Sequence, residues 1–463
     1  MTRLAKDVYS VVGSYDIRGL VDIQIDEMFV FDTAIAFAAL IRTEGNTQVV
    51  VGYDMRDSSL SFANSFVKGI IVQGLNVFKI GLTSTDQLYF ASGLLGCPGA
   101  MFTASHNPSK YNGIKLCRAD AKPIGKNTGL SNIANKIISG VSIINVESGI
   151  SFEVEILSNY GDFLRSLLSL NIVYPLKVVV DAGNGMAGLT VPAVLDSVSE
   201  LTVLPIFFEL NGKFPNHEAD PLNPSNLIDL QFHVLDKKAD MGLAFDGDAD
   251  RCFFIDELGN LISPSTIIAI VACQELKRKL GTTIVYNLLT SDIIPKLITK
   301  QGGMPVRSRV GHSYVKTLMN KTNAIFGGEH SAHYYFHDFW GADSGMIAAL
   351  YILTVLGENR CPLSVLTKHY TKNKSSGEIN FSIKDISICV TKVIKNFEKK
   401  IEFIDCLDGI TVYLKNQSWF NLRNSNTEPL LRLNVESCNL QEVKKLVCKI
   451  SNIVNIYNIS CFY

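Results

Sequence analysis

Four short segments of this 463-residue chain concentrate the side chains that could do chemistry. In the first, Thr103-Ala-Ser-His-Asn-Pro108, a hydroxyl, an imidazole and an amide follow the apolar run Gly99-Ala-Met-Phe102. A strand giving way to a loop there would expose Ser105 as a nucleophile with His106 beside it. Taken alone, the segment also reads as a turn closed by proline.

The second segment, Asp246-Gly-Asp248-Ala-Asp250-Arg251, alternates three carboxylates between Met241-Gly-Leu-Ala-Phe245 and Cys252-Phe-Phe-Ile255. Hard oxygen ligands so spaced suit Mg²⁺. An EF-hand would place Glu257 at its twelfth position, but it needs glycine where Arg251 stands and helices where the flanks read as strands. The third, Gly327-Gly-Glu-His-Ser-Ala-His333, gathers Glu329, His330, Ser331 and His333, a set able to hold sugar hydroxyls. Zinc is the rival there, and no third and fourth ligand is evident. The fourth, Arg423-Asn-Ser-Asn-Thr-Glu-Pro429, combines a guanidinium with hydroxyls and amides as a phosphate clamp would.

Elements must position these loops. Three β-branched runs, at 47–54, 177–185 and 283–291, each lead into a small or polar loop and then a helical pattern, the order of α/β units. Their spacing of over 100 residues predicts three similar α/β domains rather than a repeat array. The polar stretch 371–377 reads as a linker to a small α+β domain. Within it the pattern predicts a strand at 378–383, a helix at 386–400, short strands near Ile410 and Leu431, and a helix from Leu440. The expected domains are 1–155, 156–254, 255–370 and 371–463.

Bulk properties narrow the function classes. Hydrophobic residues make up 47% and charged residues 19%, so the chain can bury cores. With 43 Lys+Arg against 44 Asp+Glu, nothing favours nucleic acid or an anionic membrane as partner. Ten cysteines lack any CxxC pair and are expected to be reduced and buried, and no run reaches the length of a membrane span. A cytoplasmic location is expected.

The four segments, in this order, resemble the α-D-phosphohexomutase family across nearly the whole chain. Further matches are Tyr15-Asp-Ile-Arg-Gly19, Gly52-Tyr-Asp-Met-Arg56, Lys115 after Tyr111-Asn-Gly-Ile114, and Gly311-His-Ser313. The resemblance implies four domains around a central cleft: three α/β domains with mixed sheets and a last α+β domain like the TATA-binding protein. It implies a phosphoserine at Ser105, with Asp246, Asp248, Asp250 and a phosphoserine oxygen holding Mg²⁺ and Arg251 stabilising the transferring phosphoryl group.

By the same resemblance, Glu329 and Ser331 hold the sugar's 3- and 4-hydroxyls, and Arg423, Ser425, Asn426 and Thr427 clamp the non-reacting phosphate. Tyr15, Arg18 and His106 line the cleft near Ser105, and Lys115, His312 and His333 share the acid and base roles. The reaction implied converts a hexose 1-phosphate to its 6-phosphate through a 1,6-bisphosphate that also primes the serine. The form of the sugar loop, with His330, is most similar to that of phosphomannomutases; glucose or dual use is the alternative, followed by glucosamine and an inactive sugar-phosphate-binding paralogue. Two departures stand out: Asn287-Leu-Leu-Thr-Ser291 lacks a lysine, and Ile262-Ser-Pro-Ser-Thr266 lacks an arginine, that relatives often carry. Arg307 or Arg309 is expected to compensate.

Overall fold

A computed structural model of the chain describes residues 3–168, 170–370, 373–383, 385–424 and 430–455. The three β-branched runs each become the centre of a sheet. Gln48–Tyr53 lies parallel to Asn76–Leu82 on one side and Gly99–Phe102 on the other; Tyr111–Cys117 then returns antiparallel, and Ile17–Leu20 pairs with its outer edge. Leu176–Asp181 lies in the same way between Leu201–Ile206 and Met241–Phe245, followed by antiparallel Cys252–Asp256 and Leu261–Ile262. Thr283–Asn287 repeats the arrangement with Met304–Ser308, Phe326–Gly328, Tyr334–Phe336 and Ala342–Asp343.

One five-strand path is thus traced three times, the first sheet adding Ser151–Glu153 at its far edge. The central strands are buried on both faces by helices, which is why their sequences are continuous apolar runs rather than alternating ones. The second sheet continues through Leu261–Ile262, so the expected division after residue 254 falls inside a strand.

The fourth sheet is antiparallel, in the order Lys374–Phe381, Leu431–Ser437, Trp419–Asn424, Ile410–Leu414, Ile401–Asp405. Helices Ile386–Phe397 and Leu440–Asn455 pack on it around Val393, Phe397, Phe420, Leu433 and Ile450. Half of the expected linker proves to be strand. Lys374–Phe381 is an edge strand with one side in solvent, so it tolerates the polar residues that suggested a connection. The cysteine expectation also needs correcting: Cys406, Cys438 and Cys448 are exposed, although all nine described cysteines are unpaired.

One apolar cluster is shared by the first three sheets, the first and third of which carry a further cluster each, and the fourth sheet has its own. At the junction of the three sits Asp86, on the helix Thr85–Leu95, which starts at the N-cap Ser84. Its carboxylate accepts from Ser84 Oγ at 2.5 Å, from Tyr160 Oη at 2.7 Å and from Ser344 Oγ at 2.6 Å, one hydroxyl from each α/β unit. Burial raises the Asp86 pKa to about 6, although the three donors oppose it. A carboxyl with a raised folded-state pKa contributes stability that is complete below its unfolded value and lost as pH rises through the folded one. The Tm of the wild type should therefore fall relative to Asp86→Asn between about pH 4 and about pH 6. Parallel profiles in a calorimetric series would show that Asp86 does not titrate there.

No helix of the described residues is long and apolar enough to cross a membrane.

Candidate active site

Ligands of open α/β sheets sit beyond the carboxyl ends of the parallel strands. In each of the three sheets the same connection, from the last parallel strand to its antiparallel return, carries a chemical segment: 103–110, 246–251 and 329–333. Each also holds a non-glycine residue in the left-handed region, Ser105 at φ 50°, Ala249 at 59° and Ala332 at 65°. Such backbone persists only where its surroundings fix it.

For the serine loop the fixing agent is Arg56. Its guanidinium donates to the carbonyls of Ser105 at 2.8 Å, Asn107 at 2.7 Å, Pro108 at 2.9 Å and Tyr111 at 3.0 Å. Asp54 holds Nε at 3.2 Å, and the Phe214 ring of the second domain lies 5.1 Å below. The sequence singled out Gly52–Arg56 as a match but gave Arg56 no role. An Arg56→Lys substitution keeps the charge and loses the fork. It is expected to lower kcat by about 10²-fold, the effect of a misplaced reacting group. Unchanged kcat in steady-state kinetics would mean that the loop holds its own shape.

Ser105 Oγ donates to Asp246 Oδ2 at 2.9 Å and stands 3.3 Å from His106 Nδ1 and 3.4 Å from Arg251 Nη2. The two loops approach so closely that a Cβ on Gly247 would lie 2.5 Å from the Ser105 carbonyl oxygen. Only glycine fits there. Arg251 Nη2 also meets His106 Nδ1 at 2.5 Å, and burial together with Arg251 and Arg18 pushes the His106 pKa well below its ordinary value. His106 is therefore neutral.

Asp246, Asp248 and Asp250 are buried, and one oxygen from each lies within 4.8 Å of the others. The flanking elements are strands, as the rejection of an EF-hand required, and Glu257 instead accepts from Ser364 N at 3.0 Å. Lys115 Nζ donates to Asp248 Oδ2 and Asp250 Oδ2, both at 2.6 Å, and Arg251 donates to Asp246 Oδ2 at 2.7 Å. Burial acts to lower the Lys115 pKa, but the two carboxylates outweigh it and hold the ammonium above the usual lysine range. Thr85, from the first domain, donates both its N–H and its hydroxyl to Asp248. Asp248 Oδ1 and Asp250 Oδ1 remain buried and accept no hydrogen bond among the described residues. Orphaned carboxylate oxygens in a buried triad fit a divalent cation.

Glu329 is buried, accepting from Gly311 N at 2.9 Å, Asn287 Nδ2 at 3.3 Å and Tyr335 Oη at 2.5 Å. Ser331 Oγ lies 3.0 Å from His333 Nδ1, and His333 Nε2 is 3.9 Å from Asp250 Oδ1, which brings the sugar loop to the metal loop. Asp343 sits beside His333 and Asp250, with the Lys316 ammonium 2.6 Å away. His330 does not join them. Its Nδ1 is 3.2 Å from Ser265 Oγ, and burial lowers its pKa to about 4, so a two-histidine zinc site is not formed. Leu289, in the segment that lacks the lysine, is buried.

Tyr15 Oη donates to Val310 O at 3.2 Å, and its ring packs 5.0 Å from that of His312. Gly311, at φ 127°, leaves the room Tyr15 needs. Burial, reinforced by Lys316, lowers the His312 pKa to about 3. Arg18 reaches the serine loop through Asn107 Oδ1 at 2.5 Å. From the fourth domain, Arg423 is buried, with Nη2 2.8 Å from Glu378 Oε2. Ser425, Asn426 and Thr427 lie outside the described residues. Arg307 pairs with Asp405 of the last domain and Arg309 lies over Tyr314.

Comparison with known proteins gives four consecutive matches. The phosphoglucomutase/phosphomannomutase alpha/beta/alpha domains I, II and III match residues 10–141, 159–259 and 263–373, and that family's C-terminal domain matches 378–453. A phosphomannomutase of Vibrio cholerae is 38% identical over 437 residues, covering 92% of this chain and 93% of that one. One from Methanocaldococcus jannaschii is 35% identical, covering 96% and 97%. The crystal structure of a phosphoglucomutase/phosphomannomutase family protein from Burkholderia thailandensis superposes with a TM-score of 0.87 at 26% identity, covering 99% and 98%. Three equivalent loops meeting at one acidic triad, together with these matches along the chain, show that it belongs to the phosphoglucomutase/phosphomannomutase family.

Proposed function

We propose that the protein interconverts mannose 1-phosphate and mannose 6-phosphate through a phosphoserine at Ser105 and a hexose 1,6-bisphosphate intermediate. The observation that carries this reading is the placement of Ser105 Oγ against both the acidic triad and Arg251. In the first half-reaction the free sugar hydroxyl attacks phosphorus, its O–P bond forming as the Ser105 Oγ–P bond breaks. Arg251 lies beside Oγ to meet the charge that develops on the oxygens. His312, held neutral, or His333 can take the hydroxyl proton, and Lys115, whose ammonium the two carboxylates stabilise, can serve only as an acid. The bisphosphate then turns, and Ser105 recovers the other phosphate.

Glu329 and Ser331 are assigned to the sugar hydroxyls, and Arg423 with Ser425, Asn426 and Thr427 to the idle phosphate. Tyr15 and Arg18 line the approach. Mg²⁺ held by Asp246, Asp248, Asp250 and the phosphoserine oxygen would supply positive charge to the phosphoryl group. A hexose 1,6-bisphosphate is the primer, since unphosphorylated serine has no group to donate. The near-neutral charge supports a small-molecule substrate without nucleic acid or membrane partner, and the unpaired cysteines fit the cytoplasm as the site of action.

One observation favours a second reading, dual use of mannose and glucose. The His330 ring, whose identity suggested mannose, is turned to Ser265. Glu329 and Ser331 would read hydroxyls that the two sugars share. The test is conversion of mannose, glucose and glucosamine 1-phosphates with Mg²⁺ and trace glucose 1,6-bisphosphate. A mannose preference supports the proposal, equal mannose and glucose rates support dual use, and no turnover of any would overturn both.

A further inference from the structure

A cavity of about 460 Å³ lies outside the catalytic centre, walled by the first, third and fourth domains. Tyr15 forms part of its wall and separates it from His312, on which the tyrosine ring packs. None of the acidic triad, Ser105, Glu329 or Arg423 lines it. Its volume is that of a small-molecule site.

The lining has an unusual balance of charge. Among the described residues, Lys126, Arg307, Arg309 and Lys321 all contribute and no aspartate or glutamate does. Arg307 is neutralised by Asp405. Lys126, Arg309 and Lys321 have no carboxylate within ion-pair distance among the described residues, and the nearby Asp408 is engaged with Val310 N at 3.0 Å. Three uncompensated cations around one cavity raise its affinity for anions. The rest of the wall mixes small polar residues such as Asn127, Thr128 and Thr317 with an apolar and aromatic side formed by Pro123, Tyr314, Leu318 and Leu407. Tyr314 carries the Arg309 guanidinium 5.8 Å above its ring, a platform on which a flat ring can stack.

We propose that this cavity is a second ligand site that takes a nucleoside diphosphate, the base against Tyr314 and Leu318 and the phosphates on Lys126, Arg309 and Lys321. Three cations match the charge of a diphosphate ester, and a bare phosphate would leave most of the volume and the apolar wall unused. Because the walls come from three domains, a ligand here links the fourth domain to the first and third.

Calorimetric titration of the full-length protein with adenosine and guanosine diphosphates tests this, with pyrophosphate and the nucleosides as partial probes. One-to-one binding is expected, retained at saturating glucose 1,6-bisphosphate, with each partial probe at least about tenfold weaker. Lys126→Glu with Lys321→Glu should weaken it at least about tenfold and leave kcat unchanged, since both lysines are exposed and neither belongs to the three loops of the site. No heat at millimolar diphosphate, displacement by the sugar bisphosphate, or full affinity in the double variant would overturn the site. Pyrophosphate binding as tightly as the nucleotides would overturn the ring-binding part.

Discussion

Replacing Ser105 with alanine should reduce turnover by about 10⁴-fold or more, because Ser105 supplies the hydroxyl that stands against both Asp246 and Arg251. Thr103 is the only other hydroxyl of 103–108. It is buried, its oxygen accepts the Ser105 N–H at 2.9 Å, and its hydroxyl is engaged with Asp54. The substitution removes one hydrogen bond to Asp246, which keeps its three from Arg251, so the fold should lose only about 1 kcal/mol. Wild type incubated with labelled glucose 1,6-bisphosphate should take up one protein-bound phosphate and the variant none. Turnover within tenfold of wild type, or label on the variant, would remove Ser105 from the mechanism.

The second large effect is at Arg251. Its guanidinium lies 2.7 Å from Asp246 Oδ2 and 3.4 Å from Ser105 Oγ, where negative charge grows as the phosphoryl group leaves. Arg251→Ala should cost about 10³-fold in kcat with a much smaller change in KM, as expected of a contact made chiefly in the transition state. Arg251→Lys should recover only part of it, since an ammonium cannot reach Asp246, Ser105 and His106 together. The buried Asp246 carboxylate, deprived of its partner in the alanine variant, can take up a proton, which limits the loss of stability. A fall in kcat below tenfold would assign Arg251 a purely structural role.

What the sequence made legible follows from distance along the chain. Ser105 and the three aspartates stand in contiguous segments that directly follow apolar runs, so strand, loop and chemistry could be read together. The three central strands were readable for the same reason, being apolar on both faces. Arg56 was noticed without a role because the carbonyls it holds lie 49 to 55 residues away, and carbonyls leave no trace in residue type. Thr85 is farther still from Asp248, and an ordinary helix-starting threonine does not announce its partner.

In the last domain the sequence failed where strands face solvent. The start of Lys374–Phe381 is a sheet edge with exposed, polar residues, so its pattern resembled linker, and the other edge strand, Ile401–Asp405, went unread. Trp419–Asn424 is an interior strand whose buried Asn421 and Arg423 break the apolar run. Asn421 is buried because it bonds Asp408 O at 3.1 Å and Thr411 Oγ1 at 3.0 Å, partners that only the folded sheet supplies.

Because the three corresponding turns at 103–110, 246–251 and 329–333 sit on separate sheets, heredity can act on each alone. A lineage can drift in the third and change the sugar it accepts while the serine and its carboxylates pass on unaltered. An ancestral triplication followed by division of labour would leave this signature: three copies of one scaffold, each retaining the bent turn and specialised for a different task. With the roles proposed above, a new substrate would arise by change at 329–333, leaving the transfer chemistry of the other two turns intact.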